Sequence, residues 1–265
     1  MTSATRTDFR PCGVLALLSD FGTQDPYVGL MKGEVLSRAP RAVLVDLTHE
    51  VPPQDVRRGA WFLLHARAHF PAGTVFVCVV DPGVGSARSL VLALDRGQAF
   101  LGPDNGLLEP ALSEAAVVHD IEPRPASFTF HGRDILAPVA GELLAGAPPE
   151  RVGPRRTRPL ARVELARARR TAPGELAAEV LFADRYGNLV LSALERDLDG
   201  GAERWEVQVA GAALPLSRTY SDVLPGELVA LVDSYAAVEI AVRDGSAAER
   251  LGFLPGAQLT LRRRA

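Results

Sequence analysis

The chain has 265 residues, 47% of them hydrophobic and 23% charged, the composition of a globular protein with room for one large or two smaller domains. A net charge of −3 gives no field for nucleic acid or an anionic membrane, and no apolar run approaches the ~18 residues of a membrane span. Cys12 and Cys78 form no CxxC pair and no secretion signal is legible, so a reducing cytoplasm is expected.

Met1–Pro11 read as a polar, frayed start. Val14–Ser19 is the first buried strand, ending at Asp20, Phe21 and Gly22. Thr23–Asp25 offer caps for a helix through Tyr27, Met31 and Val35 that stops before Pro40. Ala42–Asp46 is a second strand, again with a polar end. Pro52 and Pro53 stiffen the turn before Asp55, which opens a helix bearing Val56, Ala60, Leu63 and Leu64 on one face and ending at Pro71. Val75–Val80 is a fully apolar run that breaks at Asp81, Pro82 and Gly83, so it reads as a buried strand followed by a turn. Strands at Ser89–Leu94 and Ala99–Leu101 are joined by the short loop Asp95–Gln98. The turn Gly102–Gly106 leads into an expected helix across Leu107–Leu112, then a strand at Ala116–Ile121 and a helix over about Ile135–Ala145.

This alternation predicts an α/β domain over residues 12–147, with a mostly parallel sheet covered by helices on both faces. Residues 148–173 are rich in Pro and Arg and read as a linker. From 174 to 265 short strands and turns follow one another, which predicts a smaller all-β, barrel-like domain.

Three strand ends in the first domain carry an aspartate: Asp20, Asp46 and Asp81. Polar groups at the carboxyl ends of parallel strands are what a ligand cleft looks like in sequence. Arg88 returns seven residues after Asp81, across a glycine loop. His131 stands between Phe130 and Gly132 at the start of a helix. Each also has a bland reading: a turn aspartate, a solvated arginine, a structural histidine. Asp184–Asn188, DRYGN, is a tight turn with Gly187 at positive φ, or a turn whose Asn188 presents its amide to a purine edge. Glu239 is an acid among apolar residues, on a solvent face or in a specific polar contact. There is no phosphate loop, no dinucleotide fingerprint, no zinc spacing and no nucleophile elbow.

Seven stretches occur in one order along nearly the whole chain: SDFGTQDPYVGLMKG, VDLTHEVPPQDVRRGA, VVDPGVGSARS, GPDNGLLEP, TFHGRDILAPVA, DRYGN and SYAAVEIAVRDGSAAERLG. Together they closely resemble the S-adenosylmethionine (SAM) hydroxide adenosyltransferases, or SAM hydrolases, relatives of the SAM-dependent fluorinases and chlorinases. The resemblance implies an N-terminal α/β and a C-terminal β-barrel-like domain, a homotrimer with sites at subunit interfaces, and hydrolysis of SAM to adenosine and L-methionine with no metal or other cofactor. It places the catalytic set on Asp81, Arg88 and His131, and the ribose contacts on Asp20 and the Asp25–Tyr27 loop. Adenine and methionine contacts fall on Asp184, Tyr186, Asn188, Ser234, Tyr235, Glu239 and Val242, and Asp81 is expected to face the substrate as well. Tyr186 replaces the family's usual Phe, Ala236 a common Gly, and Gln54 stands where fluorinases carry Trp.

The alternatives are a SAM-dependent halogenase, a non-catalytic SAM or adenosine binder, and a metal-dependent hydrolase using Asp46, His49 and Asp81. A carboxylate at Asp81 repels halide, which argues against the first. The complete Asp81, Arg88 and His131 set argues against the second.

Overall fold

The valine-rich runs become strands in both halves of the computed structural model, which describes residues 9–264. The frayed start expected at Met1–Pro11 lies, as far as Asp8, outside the described residues. The chain divides into two units, Met1–Leu165 and Ala166–Ala265.

The first unit holds β1 (Val14–Ser19), β2 (Val43–Thr48), β3 (Val75–Val79), β4 (Leu90–Asp95), β5 (Gln98–Pro103) and β6 (Val117–Asp120) in one sheet of order β2-β1-β3-β5-β4-β6. The β2–β1, β1–β3 and β3–β5 pairs are parallel, and β4 pairs antiparallel with β5 and β6. Side-chain alternation assigns each strand's two faces to two cores. Leu15, Leu17, Val75, Val77 and Val79 pack with Met31 and Val35 of α1 (Tyr27–Leu36) and Val139 and Leu143 of α3 (Ala137–Leu144). Ala16, Leu18, Phe76, Cys78 and Val80 pack on the other face with Ala60 and Leu63 of α2 (Val56–Ala66). Both faces of β1 and β3 are therefore dry, and each fully buried Leu or Phe contributes about 1.5–3 kcal/mol.

Strand β1 has β2 on one side and β3 on the other, so the chain reverses its direction of sheet growth between β1 and β3. A crevice forms outside the carboxyl ends of strands at such a point. Ser19 lies opposite Val79, which brings Asp20 and the Asp81 turn to that edge.

Several local expectations give way to tertiary context. Asp55 caps α2 as expected, accepting the Arg58 N–H at 3.0 Å. Helix α1, in contrast, starts behind Pro26 without a side-chain cap, and the Thr23 hydroxyl donates to Glu50. The helix expected across Leu107–Leu112 is only a 3-10 turn at Glu109–Ala111. Asn105 folds back to accept from Leu107 N and donate to the Val80 carbonyl, while Leu107, Leu108 and Ala111 all sink into the core. The helix expected near Ile135 begins earlier, as a π-helical turn over Gly132–Leu136 with His131 immediately before it.

The stretch 148–173 is shared between the units. Arg156 donates to Asp104 and Asp120, and Leu160, Val163 and Leu165 pack on the first unit's core. Its last residues form β7 (Arg169–Ala172), a strand the sequence did not announce.

The second unit contains β8 (Glu175–Ala183), β9 (Leu189–Leu194), β10 (Trp205–Val209), β11 (Ala212–Ser217), β12 (Leu228–Val232), β13 (Ala237–Val242) and β14 (Gln258–Arg263). The order β14-β10-β11-β12-β13-β9-β8 closes on itself through the β14–β8 pair, giving a seven-stranded barrel with β7 added along β8. Closure removes the open sheet edges. Trp205, fully buried, fills the interior with Val207, Leu191, Ile240 and Leu261. Strand β11 is also unannounced, because Pro215 interrupts a strand pattern. The short helix α4 (Ala247–Leu251) is capped by Ser246 and ends on the left-handed Gly252.

Candidate active site

The crevice of the first unit encloses about 380 Å³ and is lined by residues from four loops. Asp20 and Phe21 follow β1, Pro53 and Gln54 precede α2, Asp81, Pro82 and Val84 follow β3, and Thr129, Phe130, His131 and Gly132 lead into the π-helical turn. Tyr27 closes the wall from the start of α1. Phe130 meets Phe21 and Tyr27 edge-on and those two are tilted against each other, at centroid distances of 5.3–5.7 Å, giving one side of the crevice an aromatic surface. Asp25, exposed on the bends before α1, is not among the lining residues.

Asp81 and Arg88 grip each other with two parallel bonds. Arg88 Nε donates to Asp81 Oδ1 at 2.6 Å and Nη2 donates to Asp81 Oδ2. The same Nη2 lies 3.2 Å from His131 Nδ1. The side chains of Asp81 and Arg88 are only 7% and 10% exposed, so their mutual charge compensation is what makes their burial tolerable. Arg88 Nη1 is also buried, and among the described residues it has no hydrogen-bond partner. The loop carrying this pair is pressed against the His131 loop at Gly85. There φ is +78°, and a Cβ would come within 2.6 Å of the Phe128 carbonyl oxygen, so only glycine fits.

The protonation of His131 follows from this geometry. A guanidinium has only N–H donors, so Nδ1 facing Arg88 must be the acceptor and the ring proton sits on Nε2. Burial, and then the positive charge of Arg88, push His131 below the ordinary histidine pKa, and Asp81 and Asp134 oppose this without reversing it. The set thus comprises a neutralised ion pair, an imidazole with its proton on Nε2, and one guanidinium donor without a partner among the described residues.

The third strand-end aspartate, Asp46, serves elsewhere. It accepts from Lys32 Nζ at 2.6 Å and pairs with His49 Nε2 at 3.0 Å, while His49 Nδ1 meets the buried Ser19 hydroxyl at 2.7 Å. Among the described residues no three His, Cys, Asp or Glu side chains are grouped to hold a metal. No helix among those residues is long and apolar enough to cross a membrane.

In the barrel unit, Asp184, Tyr186 and Asn188 share the β8–β9 turn. Asp184 Oδ1 accepts the Tyr186 and Asn188 N–H groups and Oδ2 accepts the Asn188 amide, while Gly187 takes φ +82° as expected. Strand β13 pairs with β9 so that Ile240 lies opposite Leu189, which sets Glu239 and Val242 close to that turn. The Val242 side chain belongs to the barrel core, leaving a ligand only its main chain. Ser234 and Tyr235 are exposed on the β12–β13 turn, which adjoins Leu194 at the other end of β9.

Glu239 is buried, with 3% exposure, and accepts from the Tyr220 hydroxyl at 2.8 Å. Burial, reinforced by the charges of Asp184 and Asp233, pushes its pKa up to about 7 against the lowering effect of Tyr220. Of the two readings left open for Glu239, the specific polar contact is the one observed. Tyr220 was not legible as its partner, because nothing in a TYSD loop signals one. Phe21 and Phe130 were legible in principle, since both lie inside the SDFG and FTFHG stretches.

The family description for the SAM hydroxide adenosyltransferase N-terminal domain matches residues 15–153, and that for its C-terminal domain matches residues 178–260. A relative from Thermus thermophilus named (R)-S-adenosyl-L-methionine hydrolase is 42% identical, over 92% of this chain and 97% of its own. One from Salinispora tropica with the same name is 40% identical, over 94% and 97%. A fluorinase from an Actinoplanes species is 29% identical, over 79% and 83%. The crystal structure of an uncharacterized conserved protein from Thermotoga maritima superposes with a TM-score of 0.84 at 32% identity, covering 94% of this chain and all of that one.

Proposed function

The chain belongs to the SAM hydroxide adenosyltransferase family, and from that membership we propose that it hydrolyses S-adenosyl-L-methionine to adenosine and L-methionine. The observation that carries this reading is the hydrogen-bonded Asp81–Arg88–His131 set, of which Asp81 and His131 line the crevice of the first unit and Arg88 lies behind them.

The sulfonium leaves as a neutral thioether, so the reaction needs no acid at sulfur and no cofactor. What it needs is an oriented water. We assign the unpartnered Nη1 of Arg88 to the attacking oxygen, where it stabilises hydroxide character. His131 offers its Nε2–H to the same oxygen, since its Nδ1 is already taken. Asp81 is then the acceptor for the water's proton. The O–C5′ bond forms, the C5′–S bond breaks with its electron pair going to sulfur, and the proton passes to Asp81 and then to solvent. Opposite charges merge in that step, so a water-poor crevice favours it. Holding water and carbon in line supplies several kcal/mol of the ~7–11 available to well-placed reactants.

Asp20 and the Asp25–Tyr27 loop are assigned to the ribose. Asp184, Tyr186, Asn188, Ser234, Tyr235, Glu239 and Val242 are assigned to adenine and methionine. Because these residues are divided between the two units, the reading includes a homotrimer in which a neighbour's C-terminal unit completes each site; light scattering should return three times the chain mass. A cytoplasmic setting agrees with the two free cysteines. Incubation with SAM in oxygen-18 water tests the chemistry: label should enter the adenosine 5′ oxygen, with methionine released in equal amount. Stable SAM in the presence of folded protein, or label in methionine, would overturn it.

A further inference from the structure

The loops after β1 and β2 are stitched together crosswise, and three of the stitches bracket or hold Asp20. Gly22 N donates to the His49 carbonyl at 2.8 Å, Val51 N to the Ser19 carbonyl at 3.4 Å, and Gln54 N to Asp20 Oδ2 at 2.8 Å. Gln54 holds a left-handed φ of 68° to deliver that last bond, a conformation that costs about 1 kcal/mol or more in a non-glycine residue. Beneath the loops runs a polar chain of side chains, with Ser19 and His49 only 1% and 5% exposed.

The direction of this chain can be read from its ends. Lys32 donates to Asp46 at 2.6 Å. Burial works against ionisation of Asp46, but its hydrogen bonds from Lys32 and His49 hold the carboxyl below the usual range, so it is an acceptor and His49 Nε2 carries the proton toward it. His49 Nδ1 meets the Ser19 hydroxyl at 2.7 Å, and the same hydroxyl oxygen accepts from Phe21 N at 3.4 Å. The residues flanking Asp20 on both sides are thereby fixed, and one of its carboxylate oxygens is occupied by Gln54. The other has no partner among the described residues and is left for a ligand in a preset direction.

A buried pair serving only to satisfy itself has no need to reach the surface. This one extends to the half-exposed Asp46 and Lys32, and its inner end brackets a residue that lines the crevice. We propose that Lys32–Asp46–His49–Ser19 is a positioning relay that presets the Asp20 carboxylate for the ribose hydroxyls of the substrate. The inference rests on the assignment of Asp20 to the ribose made above.

The test compares affinity for adenosine and for 2′,3′-dideoxyadenosine by calorimetry, alongside steady-state kinetics with SAM. Wild type should prefer adenosine by about 10-fold or more, the scale of hydrogen bonds to a charged group, and Asp20→Asn should lose that preference. Ser19→Ala and His49→Ala should reduce the preference at least threefold and raise KM about 10-fold, with the smaller share of the loss in kcat. His49→Asn, which keeps a polar group facing Ser19, should restore most of it. Asp46→Ala lies at the surface and guards against misfolding of the buried variants; it should reduce the preference in the same sense. If wild type shows no preference, the ribose assignment of Asp20 falls and the relay with it. If Asp20→Asn abolishes the preference while the Ser19, His49 and Asp46 variants keep it and lose only melting temperature, the assignment stands and the relay is structural only.

Discussion

The two units handle charge in opposite ways. In the first, Asp81 in the crevice and the buried or half-buried acids around the core are matched by cations: Asp81 by Arg88, Asp95 by Arg67, and Asp104 and Asp120 by Arg156, whereas Asp20 is held by the Gln54 N–H. In the barrel unit, Glu239 is buried with a tyrosine hydroxyl for a partner, and its charged neighbours Asp184 and Asp233 carry its own sign. A compensated set can stay ionised in a dry crevice, which is what in-line attack by water requires. An acid among acids gains most from a cation, and SAM carries positive charge on both its sulfonium and its amino group. On the proposed reading the difference divides labour: reaction and ribose binding in the first unit, adenine and methionine binding at the barrel's residues.

The sharpest way to break that division is to remove the compensated set. Asp81→Ala, Arg88→Ala and His131→Ala should each lower turnover ~100-fold or more, the scale for losing a placed catalytic group. Binding should separate them: Asp81→Ala weakens SAM affinity, whereas Arg88→Ala, which removes a charge of the sulfonium's own sign, leaves affinity unchanged or improves it. Wild-type turnover in Arg88→Ala would reduce that residue to a loop brace.

A smaller effect probes recognition. Asn188→Ala should weaken SAM binding by about 1–3 kcal/mol through an unpaired adenine edge, with less change in single-turnover rate. Because Asn188 also donates to Asp184 at 3.1 Å, the contrary outcome is concrete: a lower melting temperature with unchanged affinity would make it a turn residue only.

The smallest effect is on stability. Glu239 has a folded pKa raised from 4.5 to about 7, so the folded chain holds this proton more tightly than the unfolded one. Its contribution is complete below about pH 4.5 and is lost as pH rises toward 7. Glu239→Gln cannot titrate and should therefore gain stability over wild type across that window, reaching about 1–2 kcal/mol at pH 8. The ceiling set by the shift is ~3 kcal/mol, and relaxation around the charged form lowers it. Melting curves from pH 4 to 8 check this; a constant difference between the two proteins would show that Glu239 does not titrate as described.

What the residues determined alone were features written at short range. Full apolar runs ending in Asp-Pro-Gly or Asp-Phe-Gly gave the buried parallel strands and their polar ends. Asp55 gave the cap of α2, and DRYGN its glycine turn. The Asp81 and His131 stretches are two of the loops that line the crevice. Only the tertiary structure decided features whose partners lie far along the chain. Arg88 and His131 are 43 residues apart, and the meeting of Nη2 with Nδ1 is what fixes the imidazole tautomer and leaves Nη1 unused. The Tyr220–Glu239 bond spans 19 residues and two elements. Strand β7, exposed throughout, owes its conformation to β8 beside it, and β11 forms despite Pro215 because barrel closure supplies neighbours on both sides. Local sequence sets which conformations are cheap. Backbone pairing and charge compensation across long separations select among them, and those terms depend on which distant groups the fold brings within about 3 Å of one another.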